Sequence, residues 1–283
     1  MEKRPLDPGL KLDLAGSLTY SEYLHLGELL DAQQPRSSPE HHDEMLFIIQ
    51  HQTSELWMKL LIHELSAVVE HVRADRLEPS FKILARVGHI QRMLFEQWSV
   101  LETLTPNEYL AFRDALGPSS GFQSYQYRAV EFLLGNKDDQ TIKPFRHQPE
   151  IHQRLVVLLQ APSVYDEFLR HLARRGHAVP PERVERDFSE PYQKHPAVVE
   201  VFRHIYEDTD HHWDAYEMCE KLLDVEERFQ LWRFRHMKTV QRIIGFKAGT
   251  GGSSGVAFLR KAMDYSFFPE LWDVRTELTL PHR

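Results

Sequence analysis

Residues 40–78 read EHHDEMLFIIQHQTSELWMKLLIHELSAVVEHVRADRLE, and residues 197–244 read AVVEVFRHIYEDTDHHWDAYEMCEKLLDVEERFQLWRFRHMKTVQRII. Neither stretch holds a glycine or a proline, although the chain contains 13 and 16 of them. Runs of that length without a breaker predict helix. In the first, Leu46, Ile49, Thr53, Leu56, Leu60 and His63 recur at steps of three or four, the period of a helix packed along one side, and no strand-like alternation competes with it. Working outward, further helices are expected over 81–103, 122–134, 150–172 and 256–265, with shorter ones near 20–30 and 106–116. The last of these is the best punctuated: Thr105 can cap it, Pro106 occupies the first position, Glu108 completes a capping box and Gly117 closes the end. The expected fold class is therefore all-α.

Two loops stand out between these helices, GPSSG at 117–121 and GFKAGTGGSSG at 245–255, the second with five glycines. No internal repeat is present, and the proline-rich stretch at 177–181 reads as a surface turn. A length of 283 residues allows one large domain or two ordinary ones. The expectation is a single helical domain over 1–283 with a small helical excursion in its third quarter.

Composition narrows the function. Hydrophobic residues at 42% and charged residues at 27% exclude a disordered chain. A net charge of -8 argues against a nucleic-acid partner, which needs a basic surface to displace counterions from phosphate. No apolar run reaches the length of a membrane-spanning helix, and the opening residues lack the apolar core of a secretory signal, so no membrane association is expected and a reducing cytoplasm fits best. Cys219 stands alone, which removes an internal disulfide, a multi-cysteine zinc site and covalent haem attachment through C-x-x-C-H. Small-molecule chemistry remains, and 17 histidines point toward metal or proton work.

Four constellations could carry it. His236 shares a helical face with Phe229, Trp232, Val240 and Ile243. It reads either as a core histidine bonded to a backbone carbonyl or as the proximal ligand of a haem, which needs an apolar wall bearing one nitrogen donor. Arg233 and Arg235 beside it could meet propionates or lie in solvent. His51 shares a face with Phe47, Ser54, Glu55 and Met58, and is either a surface histidine or a polar tip in a distal pocket. Tyr109 and Arg113, four apart, could grip a carboxylate or simply stack at the surface. The glycine loop with Thr250 could close over an anion or serve as a plain connector.

Rival motifs fail on spacing. Gly255 is followed by Val256 and Ala257, which rules out a Walker loop, and Ser254 stands where a dinucleotide fingerprint needs glycine. His63-Glu64 lacks the second zincin histidine, since Ala67 occupies its place, and Glu22 to His25 is the one Glu-x-x-His where a di-iron bundle needs two. No Gly-x-Ser-x-Gly elbow exists. The ligand-rich HHDE at 41–44 and DTDHH at 208–212 are expected to be solvated helix faces, because adjacent helical residues point apart.

The segments FIIQHQTSELWMKLL (47–61), EQWSVLETLTPNEYLAFRDALGPSSGFQSYQYR (96–128), FQLWRFRHMKTVQRIIGFKAGTGGSSGV (229–256) and FFPELWDVR (267–275) closely resemble the tryptophan 2,3-dioxygenase family. The matches cover about a third of the chain, in order, while 136–200 carries little recognisable text. The resemblance implies a helical haem-binding domain assembled as a homotetramer, with one b-type haem per subunit, L-tryptophan and O₂ as substrates, and N-formyl-L-kynurenine as product. It implies His236 as the iron ligand and His51 on the distal side, either as a base or as a hydrogen-bond partner to the indole nitrogen. That histidine favours this family over the related indoleamine dioxygenases. It further implies Phe47 as a wall of the substrate pocket, Arg113 as the carboxylate clamp aided by Tyr109 and Thr250, and Trp98, Ser120 and Gly121 as haem-lining residues. Tyr20, Tyr23 and Leu24, within the N-terminal segment 1–35, are implied to reach a neighbouring subunit's pocket. The alternative is a haem-binding sensor or carrier without turnover, against which the carboxylate clamp speaks.

Overall fold

A computed structural model describes residues 5–279, and among them every regular element is an α-helix or a 3-10 turn. The N-terminal half holds α1 (Tyr20–Tyr23), α2 (Leu26–Asp31), α3 (His42–Arg73), α4 (Leu77–Glu96), α5 (Trp98–Leu101), α6 (Pro106–Phe112) and α7 (Tyr125–Leu134). The remainder holds α8 (Pro149–Gln160), α9 (Val164–Arg174), α10 (Pro181–Val184), α11 (Pro196–Glu207), α12 (Trp213–Ile244), α13 (Val256–Lys261) and α14 (Pro269–Glu277). The all-α expectation holds. Among the described residues no helix is long and apolar enough to cross a membrane.

The first breaker-free run forms α3 almost throughout. The second does not form one helix: it splits into α11 and α12 at 208–212. Asp, Thr and His there offer the backbone local alternatives to helix, and Asp208 instead bonds the Nδ1 of His211 at 2.7 Å. DTDHH is thus a connector rather than a solvated helix face. HHDE departs from expectation differently: Glu44 is buried and accepts from the backbone N–H groups of Arg36 at 2.7 Å and Ser37 at 2.9 Å, anchoring the preceding loop. The segment 150–172 divides where Pro162 breaks it and Ser163 caps α9. Conversely, α4 begins at Leu77, four residues early, because Pro79 falls in the first turn, where its missing N–H does no harm. The capped helix at 106 keeps its predicted capping box but ends at Phe112, with Arg113–Leu116 tightening into a 3-10 turn.

The core forms where α4 packs against both α3 and α12, with α7 and α9 also packed on α3 and α11 against α14. One buried cluster runs through these elements, from Leu61 and Leu65 of α3 to Leu271 and Val274 of α14. Polar ties fix the packing. Arg86 of α4 bonds both oxygens of Glu64 on α3 at 2.7 and 2.8 Å, and buried Glu226 of α12 accepts from the backbone of Phe267 and Phe268 at 2.9 and 3.0 Å. Lys137, almost fully buried, donates to the carbonyls of Leu158 and Ala161 at 2.6 and 2.9 Å, satisfying the end of α8.

Candidate active site

Helix α12 carries Trp232 and His236 one turn apart, and α5 brings Trp98 against them. The indole of Trp98 lies face to face with the His236 ring, centroids 4.8 Å apart and planes 8° from parallel, with Trp232 at 6.2 Å. The rotation of α12 is set on both sides of the histidine. Arg233 is buried and bonds Glu131 of α7 at 2.8 Å and the Tyr127 hydroxyl at 3.2 Å. Arg235 reaches Glu102 at 3.3 Å, and Thr239 donates to the same carboxylate at 3.0 Å. Neither arginine lies in solvent, and each is engaged by a carboxylate of this chain.

His236 itself makes no hydrogen bond among the described residues, so the carbonyl-bonded core histidine is not what is seen. Enclosure pushes its pKa down to about 4, with the positive charge available to His51 as a lesser cause. At neutral pH the ring is uncharged and carries a free lone pair. The indole N–H groups of Trp98 and Trp232 are buried and likewise without partners. A wall of aromatic faces bearing one unprotonated, unpartnered imidazole is the donor set a haem iron requires.

Facing this wall, α3 presents Phe47 and His51. The His51 Nδ1 lies 2.7 Å from the Phe47 carbonyl oxygen, which can only accept, so the proton sits on Nδ1 and Nε2 keeps a bare lone pair. Burial lowers the pKa of His51, against the opposing pull of that bond and of Glu55. Phe47 packs on His51 at 4.2 Å, on Phe112 at 5.6 Å and on Tyr109 at 5.8 Å. The two clusters are joined where Gln97, next to Trp98, donates to the hydroxyl of Ser54 at 2.7 Å, one turn along α3 from His51.

Arg113 follows α6 directly and donates to the carbonyl of Ala248 in the glycine loop at 2.6 Å. Burial raises the Tyr109 phenol pKa, and the charge of Arg113 pulls the other way. Thr250 donates to the Ser119 carbonyl, which ties the glycine loop to the loop at 117–121. The approach is close: a Cβ on Gly251 would meet the Cβ of Ser120 at 2.7 Å. Ser120 also caps the 3-10 turn Gly121–Gln123. Gly255 has φ 61°, and a Cβ there would lie 2.5 Å from the Lys247 carbonyl oxygen, so the loop closes on itself only with glycine. Tyr20, Tyr23 and Leu24 remain apart, exposed by 75%, 71% and 39%, with no ring contact to the cluster among the described residues.

The fold therefore gathers Phe47, His51 and Tyr109, sets Trp98 and His236 beside them, and folds Arg113, Ser120, Gly121 and Thr250 into one loop layer. Sequence reasoning missed Phe112, Gln97, Glu102 and Glu131. Phe112 was findable, three residues from Tyr109 on a capped helix. The other three act through partners 43, 133 and 102 residues away, for which no local pattern exists.

The family model described as tryptophan 2,3-dioxygenase matches residues 7–204 and 200–278. The chain belongs to the tryptophan 2,3-dioxygenase family. Among curated members of that name, the Myxococcus xanthus protein is 74% identical over 99% of this chain and 97% of its own length. That of Serratia proteamaculans is 58% identical over 98% and 99%, and that of Kineococcus radiotolerans 60% identical over 97% and 96%. The tryptophan 2,3-dioxygenase match also spans 136–200, where little signature was legible by reading alone.

Proposed function

We propose that this chain oxidises L-tryptophan with dioxygen at a haem held by His236, with His51, Phe47 and Arg113 orienting the substrate. Family membership across nearly the whole chain carries the reaction, in which both atoms of O₂ enter the substrate, the indole C2=C3 bond is cleaved and N-formyl-L-kynurenine forms without net electron input. One observation supports the site most: an uncharged, unpartnered imidazole at 236 opposite a histidine whose tautomer leaves Nε2 open.

A ferrous haem, when bound, supplies the iron that activates dioxygen beside the indole ring. His236 offers it a neutral nitrogen, and Trp98, Ser120 and Gly121 line its surroundings. His51 accepts the indole N–H at Nε2, which orients the ring and leaves the same atom able to take the proton. Phe47 forms an apolar wall for the indole. Arg113 pairs with the substrate carboxylate, helped by Tyr109 and by Thr250, whose loop already bonds that guanidinium through Ala248. Closure of this loop excludes water and holds the reacting bond in place, so positioning supplies much of the acceleration.

The exposed Tyr20, Tyr23 and Leu24 support a homotetramer in which this segment completes a neighbouring subunit's pocket. The continuous buried cluster from α3 to α14 supports one domain. The decisive test mixes reduced, haem-loaded protein with L-tryptophan and ¹⁸O₂. A product heavier by two label atoms is expected, and a product with one or none overturns the reading, as would haem retention without turnover, the signature of a sensor.

A further inference from the structure

Away from this site, a cavity of about 610 Å³ opens between the segment after α9, helix α11 and the start of α12. Three histidines meet at its wall. His204 on α11 and His212 at the cap of α12 approach with their Nε2 atoms 3.2 Å apart and ring centroids at 5.0 Å. His177, in the turn after α9, lies 4.9 Å from His212 and 6.5 Å from His204, centroid to centroid. Two nitrogens bound to one tetrahedral zinc at 2.0–2.1 Å stand about 3.3 Å apart, and the ring centres about 5 Å apart. The His204–His212 pair already has that spacing.

We propose that His177, His204 and His212 form a binding site for a divalent transition-metal ion of the zinc class, with water in the fourth position. No three donors converge on one point among the described residues, so the His177 ring must turn toward the His204–His212 pair when the ion binds. A simple hydrogen bond between His204 and His212 accounts for one contact but not for the third imidazole. His171 and His211 also line the cavity, each held through Nδ1 by a carboxylate, Asp75 and Asp208, at 2.7 Å, but neither ring is stacked against the His204–His212 pair. Imidazole donors favour zinc, copper or nickel over calcium or magnesium. The ion would clip together three segments that sequence alone leaves loosely punctuated, so its effect is on stability rather than on turnover.

The test uses haem-loaded protein dialysed against graded free zinc, with bound zinc measured by mass spectrometry. One zinc per chain beyond the haem iron is expected, weakened at least tenfold in His204→Ala and His212→Ala but not in His147→Ala, an exposed histidine elsewhere. Equal binding in all four proteins, or none below millimolar zinc, overturns the site. Zinc-edge X-ray absorption on the unmutated protein guards against misfolded variants: about three imidazoles per zinc are expected, and one or fewer refutes the proposal. Zinc should also raise the melting temperature of the parent and of His147→Ala alone, by linkage; an equal rise in the cavity variants counts against it.

Discussion

His51 shows how much one hydrogen bond decides at the scale of a residue. Its Nδ1 proton is held by a carbonyl, so Nε2 is an acceptor, and the proposed contact with the indole N–H needs the neutral form. Because burial sets the folded pKa below 6.5, that form persists at pH 6.5 and is lost only as pH falls through the lowered value. The acid limb of kcat/KM should therefore lie below 6.5, and should vanish in His51→Ala together with most of the activity; a limb above 6.5 would contradict the assignment. His236→Ala should lose the stable haem Soret band while keeping its helical circular dichroism. Arg113→Ala should retain that band and raise KM for tryptophan about 30-fold or more, the loss of a charge-assisted pair of about 2 kcal/mol or more, measured by steady-state kinetics.

At the scale of elements, the glycine loop and α14 are each held by a specific contact. Gly251→Ala forces the loop away from Ser120, since a Cβ cannot approach another at 2.7 Å. KM for tryptophan should rise several-fold with little change in melting temperature, because the loop is surface structure. The opposite pattern is expected at Glu270 of α14. Its buried carboxylate accepts from Tyr165 at 2.8 Å, Tyr192 at 2.7 Å and the His195 backbone at 2.8 Å, drawing the segment before α11 onto α9 and α14. Glu270→Ala leaves buried donors without an acceptor, a cost of about 3 kcal/mol, and thermal unfolding should fall by about 6–10 °C, with haem affinity little changed. Helix identities were legible here from breakers and caps. Their ends were not: Asp208 and Pro162 split two predicted helices, and Pro79 proved harmless because of where it falls in its turn.

For the whole molecule, the unpartnered apolar surface is concentrated at the N-terminus, where Leu18, Tyr20, Tyr23 and Leu30 are each at least 70% exposed. Burial of such a surface between subunits would contribute substantially to assembly. Light scattering should give four copies of the 33.4 kDa chain, and Tyr20→Ser with Tyr23→Ser should lower tryptophan turnover while leaving haem content intact. A fully active monomer would refute the shared pocket.

Sequence alone determined the helical class, which depends on periodicity and caps, and the family, which long in-order segment matches carried; spacing by itself left His236, His51 and Arg113 each open between a structural and a chemical role. Tertiary structure decided which rings face each other, which nitrogen of His51 is free, and that Arg233 and Arg235 are taken by Glu131 and Glu102. It also turned DTDHH from a helix face into a connector that supplies one of three clustered histidines, His212. Glu131 and Glu102 meet their arginines from 102 and 133 residues away, a separation about which short-range spacing carries no information, whereas the His51 bond to Phe47 four residues back and the His204–His212 contact eight residues apart depend on side-chain rotamers that packing sets.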